Sequence, residues 1–144
     1  MIRHLTFSDG VELNRLNQDQ LGYTIPLSST QEKLKRLLED TQHHYFLAFE
    51  EESIKKVAGY VHAEVYENTY AEPMFNVMAL AVDKEYQHNG IGTLLMKQLE
   101  QEAKARGYSG IRLNSAEHRK EAHKFYEHIG YKADKLQKRF FKEL

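Results

Sequence analysis

The sequence predicts an α/β fold with a mixed, mostly antiparallel central sheet that is flanked by helices on both faces. Two strand-like runs, at 45–50 and 57–66, enclose the charged turn 51–55, which favours an antiparallel hairpin. A strand at 74–82 then leads through a glycine turn into an amphipathic helix at 90–106. The chain continues as strand, helix and strand. Early antiparallel strands followed by strand–helix units are typical of a layered α/β sheet.

Size and composition bound the function before any motif is considered. A chain of 144 residues is long enough for one domain, spanning 1–144, and short for two. With 20 basic and 21 acidic residues the net charge is −1, so neither a nucleic-acid nor a membrane partner is expected. The lack of cysteine excludes disulfides, thiolate zinc sites and a cysteine nucleophile. No signal peptide is recognisable, which predicts a cytoplasmic protein.

The N-terminal residues predict a strand followed by two helices. Residues 2–6 favour the strand, and Ser8 is the predicted N-cap of the first helix. The segment 22–26 interrupts this helix, and the residues 29–32 fit a capping box for the second one. The predicted apolar faces comprise Val11, Leu13, Leu16 and Leu21 in the first helix, and Leu34, Leu37 and Leu38 in the second.

The stretch 77–106 predicts a strand, a turn and a helix around which the chain is organised. The apolar run 78–82 has no polar alternation, which suits a strand buried on both faces. Arg106 and Gly107 close the helix, with a cation in the last turn and a glycine at the cap. The predicted apolar stripe of the helix comprises Ile91, Leu94, Leu95, Leu99 and Ala103.

The turn between strand and helix has the pattern Gln87-x-x-Gly90-x-Gly92. Two glycines at a helix start let a ligand approach the backbone and leave amide groups pointing outward, which makes an anion site. The alternative is that both glycines only permit a tight turn. No Lys-Ser/Thr pair follows, as in a Walker A loop, and no third glycine completes a dinucleotide fingerprint. A phosphate group here would therefore be held by backbone alone.

Two sequence blocks carry a resemblance to a known family. The strand end 80–83 followed by Gln87-x-x-Gly90-x-Gly92 resembles the acetyl-CoA signature of the GNAT superfamily of N-acetyltransferases. The block 122–131 resembles the late helix and following strand of that family, and the gap accommodates a strand at 111–113. The resemblance covers the C-terminal half of the chain, and the tail 138–141 is similar to that of some aminoglycoside acetyltransferases.

The resemblance implies acetyl-CoA as cosubstrate, no metal, and direct attack by an amine on the thioester. The Val82 N–H would stabilise the carbonyl oxygen, with Leu80 and Ala81 lining the pantetheine arm; the alternative is a plain core strand. The implied pyrophosphate site consists of the amides of Gln87, His88, Asn89, Gly90, Ile91 and Gly92, with the Thr93 hydroxyl.

Tyr126 occupies the position at which many members of that family carry a tyrosine that donates a proton to the CoA sulfur. A phenol suits this role because it is protonated at neutral pH. The alternative is packing on the apolar stripe of its helix. Arg119 stands where many relatives have an asparagine that helps to hold CoA; it could pair with CoA phosphates or form an exposed salt bridge.

The general base is where this sequence departs from its relatives. Glutamates found in two branches of the family would fall at Met78 and Asn114, and neither position carries a carboxylate. The remaining side chains that could act as a base or hold a water are His62, Glu64, Glu72, Asn76 and Asn114.

The acceptor is expected to be an amine of a small molecule or a peptide. The early helical pair forms one wall of the acceptor cleft in the resembled family, so Tyr23 and Ile25 are candidate substrate contacts together with Asn76; the alternative for Tyr23 and Ile25 is core or lid packing. Two other functions stay open, a non-catalytic acetyl-CoA sensor and an interaction module. The apolar residues 140–141 are compatible with a homodimer or with burial within the chain.

Histidine spacing argues against a metal site. His118, His123 and His128 recur every five residues, which places successive side chains roughly 140° apart on a helix. The C-terminal residues are expected to form two more strands, one from Gly130 and one at 138–142.

Overall fold

Five strands form one sheet in the computed structural model, which describes all 144 residues. They are β1 (Ile2–His4), β2 (His44–Glu51), β3 (Lys56–Tyr66), β4 (Met74–Val82) and β5 (Ile111–Arg112). Their spatial order is β1-β2-β3-β4-β5, and neighbours are antiparallel except for the parallel pair β4 and β5. The predicted mixed, mostly antiparallel sheet is confirmed.

Four α-helices accompany the sheet: α1 (Gly10–Leu16), α2 (Leu27–Glu39), α3 (Ile91–Ala105) and α4 (Lys120–His128). The chain divides into two compact units, Met1–Leu113 and Asn114–Leu144. The first unit contains the sheet with α1, α2 and α3, and the second contains α4. No helix combines the length and the apolar character needed to cross a membrane.

Helices cover both faces of the sheet, as predicted. Strand side chains alternate between the two faces, and one face packs against α1 and α2. On the opposite face, the Phe75 and Tyr108 rings meet edge-on at 5.1 Å, and Gly59 lies close to Ile91 of α3. The cluster on the α1/α2 face includes Leu13, Leu16, Leu34, Phe46, Ala48, Tyr60 and Ala81.

Both predicted helix caps in the N-terminal region are wrong. A 3-10 turn at Phe7–Asp9 precedes α1; Thr6 caps this turn, with its N–H donating to the Asp9 carboxylate at 2.8 Å, and Asp9 takes the N-cap position of α1 that was predicted for Ser8. α2 begins directly after Pro26, which places Ser29 inside the helix. Thr30 instead accepts a hydrogen bond from Asn14 at 2.8 Å and thereby links α2 to α1.

The apolar stripe of α3 differs from the predicted one at two positions. Leu94 is 47% exposed, whereas Met96, which was not assigned to the stripe, is fully buried. The helix starts at Ile91, and residues four, five and eight positions later face the sheet with it. The buried side is formed by Ile91, Leu95, Met96, Leu99 and Ala103.

The two C-terminal strands predicted from Gly130 and at 138–142 are absent. Residues 131–144 form neither helix nor strand. A strand exists only where its backbone pairs with a neighbour, and this segment forms no such ladder within the chain. Phe140 and Phe141 are exposed, so the alternative that they are buried within the chain is wrong.

Candidate functional site

The most unusual feature of the sheet is that β4 and β5 separate. They pair at only two positions, Phe75 with Ile111 and Asn76 with Arg112. β4 then continues to Val82 with β3 on one side and no strand on the other. Residues 77–82 therefore present an open backbone edge, a feature that the sequence spacing did not predict.

Met78 marks the point at which this edge begins. The register between β3 and β4 shifts here, because Ala63 opposes Val77 while His62 opposes Ala79, which makes Met78 the extra residue of a β-bulge. Its side chain is exposed. The prediction that the run 78–82 is buried on both faces is thus wrong at Met78.

The orientation of the open edge follows from one hydrogen bond at its end. The Asp83 N–H donates to Ala58 O of the β3 strand at 2.7 Å. Since successive peptide groups of a strand point to opposite sides, the N–H groups of Val82 and Leu80 point away from β3. The Val82 carbonyl points the same way and accepts a hydrogen bond from Gln87 Nε2 at 3.0 Å.

The residues 87–92, here called the glycine loop, lead directly into α3. Gly90 adopts the left-handed conformation with φ 78°, and so does His88 with φ 68°. A non-glycine residue in this conformation costs about 1–2 kcal/mol, and such strain is concentrated at functional sites. The conformation of the glycine loop therefore includes this strain at His88.

The glycine loop leaves a row of backbone donors without acceptors. The Gln87 N–H is the exception, because it bonds to Lys84 O at 3.4 Å. The amides that donate to no group of the protein are those of His88, Asn89, Gly90, Ile91, Gly92 and Thr93. Unpaired amides at a helix start, together with the helix dipole, form a site for an anion.

Asp83 anchors the junction between β4 and the glycine loop. Its buried carboxylate contacts Arg15 Nη1 at 2.8 Å and Lys56 Nζ at 3.2 Å, and accepts the Glu85 N–H at 3.0 Å. Burial by itself raises the pKa of Asp83, but the Glu85 N–H and the two cations outweigh burial and lower it. This carboxylate ties α1, β3 and the 3-10 turn Lys84–Tyr86 to the end of β4.

A row of polar side chains crosses the α1/α2 face of the sheet beside the bulge. We call this row the polar band; it comprises His44, His62, Glu64, Asn76 and Arg112. Asn76 Nδ2 donates to Glu64 Oε1 at 3.2 Å, and Arg112 Nη1 donates to Asn76 Oδ1 at 2.7 Å. The Arg112 guanidinium also lies 4.4 Å from the centre of the Tyr66 ring. The band therefore spans four neighbouring strands, β2 to β5.

The two histidines of the polar band contact each other directly. His44 Nδ1 and His62 Nε2 lie 3.0 Å apart, and the His62 ring stacks on Phe46 at 4.0 Å. Burial, together with the neighbouring His44, lowers the pKa of His62 to about 3. His62 is therefore uncharged at neutral pH.

The predicted acceptor contacts Tyr23 and Ile25 lie in the connection between the π-helical turn Asn17–Leu21 and α2. Tyr23 is 69% exposed, and Ile25 is exposed as well, so core packing does not explain either residue. The segment is held by its backbone, since Asn14 Nδ2 donates to Ile25 O at 3.1 Å. Its side chains thus face solvent.

Tyr126, Arg119 and Asn114 belong to the second unit. Tyr126 lies in α4 and meets Phe125 and Tyr131 edge-on, with ring centres 5.2 and 6.0 Å apart. Burial raises the pKa of Tyr126 above its ordinary value, and Arg119 partly opposes this. Its phenol is therefore protonated at neutral pH, as a proton donor must be. Arg119 precedes α4, and Asn114 follows β5 in an irregular segment.

Three elements of the site were not assigned from the sequence: the Gln87 side chain as a clamp on Val82, and the polar-band residues His44 and Arg112. His44 and His62 share a face only because the β2–β3 register shifts between Phe49 and Glu50, so the sequence has no local signal for their contact. The contact of Arg112 depends on parallel pairing between β4 and β5, for which the sequence has no local signal. No group of three or more metal-ligating side chains occurs.

Solved structures share this architecture. A transcriptional regulator from Bacillus halodurans superposes with a TM-score of 0.85 at 21% identity, covering 99% of both chains. An aminoglycoside 6'-N-acetyltransferase from Acinetobacter haemolyticus gives 0.84 at 16% identity, covering 100% of this chain and 99% of that one. An aminoglycoside acetyltransferase from an uncultured soil metagenomic sample gives 0.81 at 25% identity, covering 100% and 95%. The fold is that of acetyltransferases.

The sequence itself matches the model of the acetyltransferase (GNAT) family over residues 11–131, and the chain belongs to this family. Comparison with the sequences of curated proteins gives no match. The family transfers acetyl groups and generally takes them from acetyl-CoA.

Proposed function

We propose that this protein transfers the acetyl group of acetyl-CoA to a primary amine of a small molecule or peptide, and that residues 1–144 act as one N-acetyltransferase-like domain. The open backbone edge of β4, which leads into the unpaired amides of the glycine loop, is the observation that carries the proposal. An extended arm with amides fits beside such an edge, and a pyrophosphate fits the helix start. The two features are continuous along the chain.

In this proposal the backbone holds the cosubstrate. The glycine loop binds the pyrophosphate through its amides, and the Thr93 hydroxyl adds a donor. Leu80 and Ala81 line the pantetheine arm. The Val82 N–H, which points to the open edge, stabilises the oxygen of the thioester carbonyl as negative charge develops on it. The Arg119 guanidinium pairs with a phosphate group of CoA.

The side chains supply the proton transfers and the acceptor contacts. Tyr126 donates its phenolic proton to the departing sulfur, and its raised pKa keeps the phenol protonated until that step. Tyr23 and Ile25 contact the acceptor from the exposed connection before α2, and Asn76 belongs to the acceptor side of the sheet. Asn114 holds a water molecule or contacts the acceptor. The aminoglycoside acetyltransferases among the similar structures make an aminoglycoside one amine to test.

A non-catalytic acetyl-CoA sensor is the second candidate function. It is favoured by the lack of a carboxylate at Met78 and Asn114, and by the similarity to a structure described as a transcriptional regulator. Such a protein binds CoA and turns nothing over. Both functions therefore require binding of CoA, and only the transferase catalyses a reaction.

The deciding experiment is titration calorimetry with acetyl-CoA, with desulfo-CoA and ATP as controls, followed by thiol-release assays with amines. Binding of both CoA ligands without ATP, and thiol release with at least one amine, is the expected result. Binding without thiol release would favour the sensor. No binding at millimolar acetyl-CoA would make the glycine turn purely structural and would refute both functions, leaving the interaction module.

A homodimer is part of the proposal. Residues 131–144 form no strand, and Leu136 and Phe140 are 101% and 90% exposed. β5 is the last strand of the sheet, so its outer edge lacks a partner. An unpaired strand edge can pair with an extended segment of another chain. We therefore propose that residues 131–144 of one copy pair with the outer edge of β5 in a second copy.

Light scattering on the full chain tests this assembly. The wild type is expected to have the mass of a dimer, and the double variant Phe140→Ser/Phe141→Ser that of a monomer. A monomeric wild type would refute the assembly without affecting the proposed reaction. The cytoplasmic location remains a prediction from the sequence.

A further inference from the structure

The side chain of Gln87 joins two parts of the chain that meet at the C-terminal end of β4. Its Nε2 group donates to Val82 O and to Gln20 Oε1, at 3.0 Å in both cases. Val82 belongs to the open backbone edge, and Gln20 belongs to the π-helical turn Asn17–Leu21 that follows α1. We call Gln20, Gln87 and Val82 the glutamine clasp. The clasp ties the helical N-terminal region to the edge at which the cosubstrate is proposed to bind.

The orientation of both side-chain amides follows from the Val82 carbonyl. A carbonyl oxygen only accepts hydrogen bonds, so the amide nitrogen of Gln87 must face it. That nitrogen carries two hydrogens, and the second points to Gln20, which must therefore present its oxygen. Both N–H bonds of the Gln87 amide are thus used within the protein. A substitution that removes the oxygen at position 20 breaks the clasp and leaves one of these N–H bonds without its partner.

The π-helical turn is anchored to the sheet at its start as well. The Tyr60 hydroxyl donates to Asn17 Oδ1, and Tyr60 lies opposite Ala81 in the β3–β4 register. Tyr60 is buried, whereas Gln20 is half-buried and Gln87 is exposed. π-Helical turns are rare and occur frequently at functional sites. The turn therefore has a buried anchor to the sheet at its start and a second anchor, to the glycine loop, near its end.

Tyr23, a proposed acceptor contact, follows this turn directly. Gly22 ends the turn in the left-handed conformation with φ 77°, and the Tyr23 N–H donates to Asn17 O at 3.0 Å. Only two residues separate Tyr23 from Gln20. The position of Tyr23 therefore depends on that of the turn, and the clasp fixes the end of the turn relative to Val82.

We propose that Gln20 is a positioning residue for the acceptor: through Gln87 it holds the segment that carries Tyr23 in place beside Val82, whose N–H is the proposed partner of the thioester oxygen. This inference rests on the proposed function. The clasp touches neither reacting group in this role. An acceptor that binds to a segment already held in place does not have to supply the free energy for ordering it. Gln20 therefore acts on acceptor binding, and neither on the chemical step nor on the affinity for acetyl-CoA.

The test is steady-state thiol release by the full-length protein at saturating acetyl-CoA, with a polyamine, an aminoglycoside and a peptide with a free N-terminus as varied acceptors. Gln20→Met keeps the length of the side chain and removes the oxygen, so the KM for the acceptor should rise about fivefold, the effect of one lost hydrogen bond. The kcat, and the affinity for acetyl-CoA measured by calorimetry, should each stay within about twofold of the wild type. Gln18→Met, at an exposed glutamine of the same turn, is the matched control and should keep the wild-type KM.

A conservative variant tests whether the contact with Gln87 is what position 20 contributes. Gln20→Glu keeps an oxygen that accepts the Gln87 N–H, so the KM for the acceptor should stay near that of the wild type. Because the new carboxylate also attracts a cationic amine, Gln18→Glu serves as the charge control, since it adds the same charge in the same turn without a clasp. A rise in KM as large as that of Gln20→Met would overturn the proposal.

A double variant distinguishes positioning from direct contact with the acceptor. If Gln20 acts through Gln87, the KM of Gln20→Met/Gln87→Met should equal that of Gln87→Met, because the contact is already lost in the single variant. Effects that multiply would mean that Gln20 acts independently of Gln87, and the positioning role would be refuted.

The remaining outcomes separate this inference from the proposed function. If the wild type acetylates an amine and the KM of Gln20→Met changes by less than about twofold, the positioning role is wrong and the proposed function stands; a lower free energy of unfolding in that variant would then show that the clasp is merely structural. If the wild type binds acetyl-CoA but acetylates none of the amines, the proposed function fails, and the role of Gln20 fails with it.

Discussion

The two ends of β4 offer different kinds of functional group: backbone groups at the C-terminal end and side chains at the N-terminal end. Towards its C-terminus, the strand and the glycine loop present N–H groups, and the side chains there are mostly apolar or small. Towards its N-terminus, the polar band presents a carboxylate, an amide, a guanidinium and two imidazoles. Every residue has the same backbone groups, so a backbone site requires only a conformation, whereas a side-chain site requires particular residues in register.

This difference predicts how variants will behave. Changes in the backbone site should alter the affinity for acetyl-CoA, because they change the shape that holds the pyrophosphate. Changes in proton-transferring side chains should alter kcat and leave that affinity unchanged. Variants that mix the two effects would show that the ends of β4 do not act separately.

The largest expected effect is that of Tyr126→Phe. Removing one hydroxyl leaves the packing of the ring in α4 and deletes the proposed proton donor, so kcat should fall by about 10²–10⁴-fold. The affinity for acetyl-CoA, measured by calorimetry, should stay within about threefold of the wild type. Tyr70→Phe, at an exposed tyrosine before β4, is the control and should change neither quantity. An unchanged rate in Tyr126→Phe would remove this residue from the mechanism.

The next largest effect is expected at Asp83, at the junction between β4 and the glycine loop. Asp83→Asn removes the charge that Arg15 and Lys56 contact at 2.8 and 3.2 Å. Both cations are partly solvated, so the free energy of unfolding should fall by about 2 kcal/mol, less than for a fully buried pair. Urea denaturation of both proteins at neutral pH measures the difference.

The pH dependence of stability follows from the same carboxylate. The pKa of Asp83 is lowered in the folded state, so its contribution is present above the unfolded pKa of about 3.9 and is lost as pH falls through the folded pKa. The difference between wild type and Asp83→Asn should therefore shrink at acidic pH. A difference that stays constant from neutral pH to about pH 3 would contradict this origin.

A smaller effect is expected at Gly90. Gly90→Ala places a methyl group on the outer side of the glycine loop, where the pyrophosphate is proposed to bind, and strains a residue with φ 78°. The affinity for acetyl-CoA should fall about tenfold, and stability by about 1 kcal/mol. Gly22→Ala is a matched control, since Gly22 has φ 77° and equally open surroundings. It should lose the stability and keep the affinity; equal losses of affinity in both would count against the anion site.

The same contrast explains what the sequence could predict. The strand at 74–82, the glycine spacing and the helix after it are local signals, and the structure confirms all three elements. Register and strand neighbours are not local, so the opening between β4 and β5 and the contact between Glu64 and Asn76 emerged only in the structure. Local signals also failed at Ser8 and Ser29, where Asp9 and Pro26 set the helix starts. The two C-terminal strands were predicted from the residue pattern of 130–142 alone, but a strand also needs a neighbouring strand to pair with, and the pattern does not say whether one is present.

The smallest effect is expected at His88, and it tests the backbone site most directly. His88 lies in the glycine loop with φ 68°, a conformation that glycine adopts without strain. If only the backbone binds the anion, His88→Gly should keep the affinity for acetyl-CoA within about threefold and change stability by no more than about 1 kcal/mol, because relief of strain and loss of chain stiffness oppose each other. Lys55→Gly, at the other non-glycine residue with positive φ (51°), is the control for the effect on stability. A tenfold loss of affinity confined to His88→Gly would show that the imidazole contacts CoA, and the C-terminal end of β4 would then share the side-chain chemistry of the other end.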